Sequence, residues 1–284
     1  MNAIWGLATA LCWGSADFIA RFTGRALGYR IALFGMLSVG AVAMSAAVWL
    51  VGAPLVWAPA GWWLIVLTGL GVMVATLLLY RGLVRGPVAV VAPIVGSYPA
   101  FNVTLALMLG ARPTFAQWLA MLAVMAGLIV VARSAEGLEN QPHGRAYLRR
   151  TIIIALAASF AFALTVAAAQ YAQPIYGELQ TVWMARWVSL AAAMLLLAWR
   201  RTAPRIPFRW WPLLILQGVL DAGAYLALLA GSGGAGNEIT AVVASTFSAV
   251  TVLLAWIILR ETITPRQWGG IVLIIGGVAT LSTH

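Results

Sequence analysis

The sequence predicts an all-α integral membrane protein of ten transmembrane helices, arranged as two inverted five-helix repeats. Three observations carry this prediction. Hydrophobic residues make up 63% of the 284-residue chain and charged residues only 8%, where a soluble domain has about 25% charged. The apolar residues form near-continuous runs of helical length. Patterns in one half of the chain recur in the other at an offset of about 150 residues.

So few charges cannot give a globular fold a solvated surface, and the apolar runs must face lipid as well as each other. A spanning helix needs roughly 20 apolar residues. Runs near that length lie at 2–22, 30–51, 60–84, 87–109, 114–133, 150–170, 178–199, 210–231, 238–259 and 265–282. They exclude a β-barrel, whose strands are short and alternate. The first run has no basic leader, and Trp13, Asp17 and Arg21 fit a retained helix better than a cleaved signal. The one cysteine, Cys12, lies within an apolar run, which rules out an intrachain disulfide and a cysteine zinc site.

Arginine sets the orientation. All 17 basic residues are Arg. Arg25, Arg30, Arg85, Arg145, Arg149, Arg150, Arg200, Arg201, Arg205, Arg209 and Arg260 fall in gaps after odd-numbered spans. Arg21, Arg81, Arg133 and Arg266 border the same gaps, and the opposite side has only Arg112. The positive-inside rule puts the odd-to-even connections in the cytoplasm and both termini outside. Trp57, Trp62 and Trp63 on one side, and Trp210 and Trp211 on the other, suit interfacial belts. The net charge of +10 does not indicate nucleic acid, because no water-facing surface interleaves basic and aromatic residues.

The polar stretch 134–149, with Glu136, Glu139, Asn140, Pro142 and His143, separates a first repeat, 1–133, from a second, 150–284. Gln117-Trp118 aligns with Gln267-Trp268, Gly127 with Gly277 and Gly86 with Gly236. Gly6 to Ala10 lies more weakly against Ala155 to Ser159. Five is odd, so the second copy must insert upside down, the arrangement that in transporters puts a substrate site near the midplane.

These residues resemble a known family. The stretch Leu259-Arg260-Glu261-Thr262-Ile263-Thr264-Pro265-Arg266-Gln267-Trp268-Gly269-Gly270, followed by Ile275-Gly276-Gly277-Val278, is similar to the end of an EamA repeat of the drug/metabolite transporter superfamily. The first half has a degraded copy, from Leu109-Gly110-Ala111 through Gln117-Trp118 to Gly127, with Ala111 where the family usually has Glu. Trp13-Gly14-Ser15 fits the family's first helix. The resemblance implies secondary transport, usually export of amino acids, other metabolites or drugs; the alternative is an uptake permease or a proton-coupled organic-cation or multidrug transporter of the same fold, and the expected location is a bacterial plasma (inner) membrane. The resemblance also makes Tyr80 and Tyr98 the expected cavity positions.

An ionisable side chain at the centre of a span costs roughly 2.5–3.5 kcal/mol or more, which makes each one a functional candidate. Asp221 lies mid-span with Gln217 and Tyr225 on one face, a polar stripe that should turn toward a cavity and bind a proton or a cationic group. Asp17 shares a face with Trp13 and Arg21. It is either half of a surface pair with Arg21 or the counter-charge of a cation held against the Trp13 ring. Arg186, between Trp183 and Trp187, could meet a substrate carboxylate, Glu178 or a buried Asp. Pro93 and Pro99 interrupt the fourth span beside Ser97, Tyr98 and Asn102 and free carbonyls that must find partners or line a cavity. Thr240, Ser245, Ser248 and Thr251 suit close helix packing. Glu261 reads as a capping or loop-ordering residue.

The substrate-binding candidates are thus Trp13, Asp17, Tyr80, Tyr98, Asn102, Arg186, Gln217, Asp221 and Tyr225, with Asp221 and Asp17 as proton-coupling candidates. An enzyme would need clustered Asp or His, or a nucleophile with its base. His143 and His284 lie outside the spans, and no paired-Asp motif or phosphate-binding glycine loop occurs. A channel would need a repeated filter motif. The expected partners are a small-molecule solute and the lipid bilayer. No cofactor or metal is expected, and an internally duplicated chain can work as a monomer.

Overall fold

A computed structural model of the chain describes residues 2–52, 54–108, 114–136, 144–232, 240 and 243–281. The expectations placed on Ala111, Arg112, Glu139, Asn140, Pro142, His143, Gly236 and His284 lie outside these residues. Helices α1 (Asn2–Leu27), α2 (Tyr29–Val51), α3 (Trp62–Arg85), α4 (Val88–Gly96), α5 (Tyr98–Met108) and α6 (Phe115–Glu136) make the first half. Helices α7 (Gly144–Tyr176), α8 (Glu178–Trp199), α9 (Trp211–Ser232), α10 (Phe247–Ile258) and α11 (Pro265–Leu281) make the second. No strand occurs among the described residues.

The expectation of ten spans is met only in part. Eight helical stretches among the described residues are long and apolar enough to cross a membrane, with α4 and α5 together forming one of them. The ninth and tenth expected spans are represented by the shorter α10 and α11. The sixth expected span, 150–170, lies within a longer helix. α7 runs from Gly144 to Tyr176 because Arg149 and Arg150 end an apolar run but not a helix.

Two turns show the duplication. Gly28 (φ 84°) alone joins α1 to α2, and Gly177 (φ 77°) alone joins α7 to α8. They stand 149 residues apart, and each needs a left-handed backbone that glycine adopts without strain. The last helix of each half opens with the same cap. Thr114 N donates to Gln117 Oε1 at 2.8 Å and Gln117 N to Thr114 Oγ1 at 3.3 Å. Thr264 and Gln267 repeat the pattern at 2.9 and 3.2 Å. This is a reciprocal capping box.

The halves also exchange contacts. α3 packs on α7 as α9 packs on α1, and α3 meets α8 as α9 meets α2. A Cβ on Gly69 would lie 2.8 Å from the Ala185 carbonyl, and one on Gly218 would lie 2.9 Å from the Met36 carbonyl. A Cβ on Gly127 would meet Gly270 O at 2.6 Å, and one on Gly277 would meet Ala120 O at 2.7 Å. In each pair the second contact is the first with the halves swapped. The aligned glycines are therefore where the backbones touch.

The fourth span breaks at Ser97, whose Oγ donates to Ile94 O at 2.6 Å and so satisfies a carbonyl at the break. In the second half a turn at Ser245–Thr246 precedes α10, and Thr246 Oγ1 donates to Val243 O at 2.7 Å. The second break contains no proline. The buried core runs through Leu33, Leu37, Leu83 and Val88–Val95, while Trp49, Leu122, Leu195 and Val272 stay exposed on the outside of the bundle. That exterior suits lipid contact.

Candidate functional site

On α1, Trp13, Ala16 and Asp17 share a face by helical spacing. They form part of the wall of a cavity of about 320 Å³ at the centre of the bundle. The wall continues through Met36 on α2, Thr68 to Tyr80 on α3, Tyr98 on α5 and Phe162 to Gln173 on α7. It closes through Thr181 to Arg186 on α8, Asp221 to Leu229 on α9 and Phe247 on α10. On α7, α8 and α9 the lining lies toward the ends remote from the arginine-rich connections.

The duplication extends into this wall. Trp13 and Phe162, Met36 and Ala185, and Tyr98 and Phe247 each stand 149 residues apart, and all line the cavity. Trp13 meets Phe247 edge-on at 6.0 Å, and its counterpart Phe162 meets Tyr98 at 6.3 Å. The charges break the symmetry. Asp17 stands opposite Val166 and Asp221 opposite Val72 in the same numbering, and all four side chains belong to the wall. One side of the cavity thereby carries the charges, and the other is uncharged.

Arg186 resolves to one of its expected partners. Its Nη2 donates to Asp221 Oδ2 at 2.5 Å, not to Glu178. The guanidinium lies over the Tyr225 ring at 5.4 Å, and Nη1 approaches Met36 Sδ at 3.8 Å. Gly40 on α2 leaves room for it, since a Cβ there would touch the guanidinium at 3.6 Å. Tyr225 also meets Trp13 edge-on at 5.0 Å. Arg186 is only 3% exposed, so its charge is spent within the wall. Asp17 does not pair with Arg21, contrary to one of the two readings of that face. Arg21 Nη1 instead lies 3.0 Å from Glu261 Oε1 and donates to Gly86 O at 2.7 Å.

Seven of the nine candidates line the cavity: Trp13, Asp17, Tyr80, Tyr98, Arg186, Asp221 and Tyr225. Two do not. Gln217 is fully buried one turn before Asp221. It accepts from Thr23 Oγ1 at 3.0 Å and donates to the Tyr80 hydroxyl, so it holds Tyr80 from behind. Asn102 on α5 is half-buried and outside the wall, with its Oδ1 unpartnered among the described residues. Sequence reasoning missed Thr165, Gln170 and Gln173, which line the cavity on α7, and Thr181 on α8. The signal was a polar residue at helical spacing within an apolar run.

A second polar cluster lies at the arginine-rich ends of the helices. Glu261 accepts from Val88 N at 3.1 Å and Ala89 N at 3.0 Å, capping α4 from the far end of the chain while pairing with Arg21. The capping role expected of Glu261 is met, on a helix of the other half. Arg260, at φ 51°, and the Glu261 N bond to Ala255 O at 3.3 Å turn the chain after α10 so that Glu261 reaches α4. Arg25 Nε donates to Val84 O at 3.3 Å alongside.

Residues 1–133 and 149–283 match the EamA-like transporter family, which covers nearly the whole chain in two halves. The chain belongs to this family. It is a multi-pass membrane protein with the two-repeat architecture of EamA transporters, within the drug/metabolite transporter superfamily. A crystal structure of a protein is similar in fold, with a TM-score of 0.65 at 16% identity over 98% of this chain and 95% of that one. No curated protein matches. The EamA assignment makes this a transporter-type protein. Among the described residues, no group of three or more His, Cys, Asp or Glu side chains could hold a metal ion.

Proposed function

We propose that this EamA-family chain is a secondary transporter of the bacterial inner membrane, exporting small polar metabolites such as amino acids, or drug-like solutes, by alternating access. The observation that carries the reading is the central cavity, walled by equivalent helices of both halves and holding Asp17, Asp221 and Arg186 within the membrane-spanning region. Ionisable groups at that depth are expensive and mark solute or proton paths. The exchange of contacts between halves supports a rocking motion, because two near-equivalent packings differ little in energy. The Arg21–Glu261 cluster would hold the arginine-rich side shut in the arrangement seen here and release when the halves rock.

Asp221 and Asp17 are the coupling candidates, being the acidic side chains in the cavity wall. An uptake permease would use the same geometry, since direction follows gradients and coupling. The test is uptake of labelled amino acids and organic cations into proteoliposomes, with and without a pH gradient, for the native chain and Asp221→Asn. A solute that responds to the gradient only in the native chain makes Asp221 the coupling group. An unchanged response in Asp221→Asn transfers that role to Asp17 or to an uncoupled mechanism.

A further inference from the structure

We infer that the cavity is built for a monovalent organic cation, an ammonium carried on an aromatic or aliphatic body, with Asp17 as the group that neutralises it. The inference rests on the transport reading above and narrows its solute. The charged side chains in the wall are Asp17, Asp221 and Arg186. Arg186 and Asp221 cancel one another at 2.5 Å. Asp17 then remains as the acidic side chain of the wall without a charged partner. Among the described residues its carboxylate has no hydrogen bond and no ion pair. A carboxylate-bearing solute entering this wall would face Asp17 with no free cation to receive it. An ammonium would supply the partner that a carboxylate in a dry site requires.

The asymmetry of the wall independently gives the rest of the solute its character. Asp17 has Val166 as its counterpart in the other half, and Asp221 has Val72. Charge is confined to one side of a cavity whose other side carries Val72 and Val166 among the neutral polar side chains Thr68, Thr76, Thr165, Gln170 and Gln173. Trp13 precedes Asp17 by one turn on the same face and adds a ring to which a cation is attracted. Phe162 and Tyr98, paired at 6.3 Å, line the cavity and suit stacking on a hydrocarbon body. The fitting solute has one charged end and an uncharged body. An amino acid, which adds a carboxylate beside its ammonium, fits less well.

The test is calorimetric titration and thermal melting of the purified full-length chain with 2-phenylethylammonium, 3-phenylpropanoate and phenylalanine. The native chain, Asp17→Asn and Asp17→Glu are compared. The expected result is binding of the ammonium, a raised melting temperature on binding it, and little binding of the propanoate. Asp17→Asn should weaken the ammonium by about thirtyfold or more, while Asp17→Glu keeps part of the affinity. Failure of the native chain to bind the ammonium overturns the inference. So does equal binding of the propanoate, or unchanged ammonium affinity in a folded Asp17→Asn. Saturable movement of phenylalanine in proteoliposomes without ammonium binding would overturn the cation assignment and leave the transport reading standing. If no solute in the panel moves, the transport reading fails as well.

Discussion

Arg186 on α8 and Asp221 on α9 face each other at 2.5 Å inside the cavity wall, with the Arg186 side chain 3% exposed and the Asp221 side chain 17%. Each has already been removed from water, and each depends on the other to remain charged. Removing one partner of such a pair costs about 3–5 kcal/mol, whereas replacing both by apolar residues is often neutral. Arg186→Met alone should therefore lower the melting temperature in detergent sharply. The Arg186→Met/Asp221→Leu double variant should recover most of the loss. Equal destabilisation by single and double variants would show that the pair is not a closed electrostatic unit.

Glu261 joins three elements, pairing with Arg21 on α1 and accepting the first two amides of α4 from beyond α10. Losing a helix cap costs about 1 kcal/mol, and leaving Arg21 without its partner adds about 1–3 kcal/mol. Glu261→Ala should destabilise the fold by their sum and speed hydrogen exchange at Val88 and Ala89. Glu261→Gln keeps acceptor oxygen and should lose less. Exchange at Val88 and Ala89 unchanged in Glu261→Ala would remove the cap from the account.

The closest helix contact of the last pair lies at Gly127, where a Cβ would stand 2.6 Å from Gly270 O. Overpacking of this kind costs about 1–3 kcal/mol. Gly127→Ala and its counterpart Gly277→Ala should both destabilise. Gly276→Ala, with nothing within 4 Å of its Cβ, should be neutral or stabilising. Thermal melts of the three variants decide this, and the reverse order would contradict the packing.

Gln217 is fully buried between Thr23 and Tyr80. Gln217→Leu leaves the Thr23 hydroxyl and the Tyr80 hydroxyl each without this partner and should cost about 1–3 kcal/mol. It should do so without abolishing solute binding, because the residue is behind the wall. Complete loss of binding in a folded Gln217→Leu chain would place it at the solute.

Much of this was legible in the sequence for physical reasons. Asp17, Arg186 and Asp221 stood out because charges are rare within apolar runs, and all three face the cavity. Gln117 with Gln267 and Gly127 with Gly277 marked the repeat because caps and close backbone contacts restrict residue choice. Helical spacing puts Gln217 on the face of Asp221 and Tyr225 but does not give its depth, and the structure holds it behind the wall between Thr23 and Tyr80. The Arg21–Glu261 pair joins residues 240 apart, which no local pattern reveals. The Gly28 and Gly177 turns were invisible because a lone glycine between long helices gives no sign of its φ. The breaks at Ser97 and at Ser245–Thr246 share hydroxyl caps, but only the first carries the prolines that made it readable.

The central claim is that solute crosses the membrane through the cavity between the halves. The most direct measurement is saturable uptake of the labelled solute panel into proteoliposomes by the native chain and by Ala169→Trp, a bulky side chain placed on the α7 wall. The account predicts saturable uptake of at least one solute by the native chain, and its loss in a folded Ala169→Trp protein. Undiminished uptake with the cavity filled, or no uptake by the native chain, would contradict it.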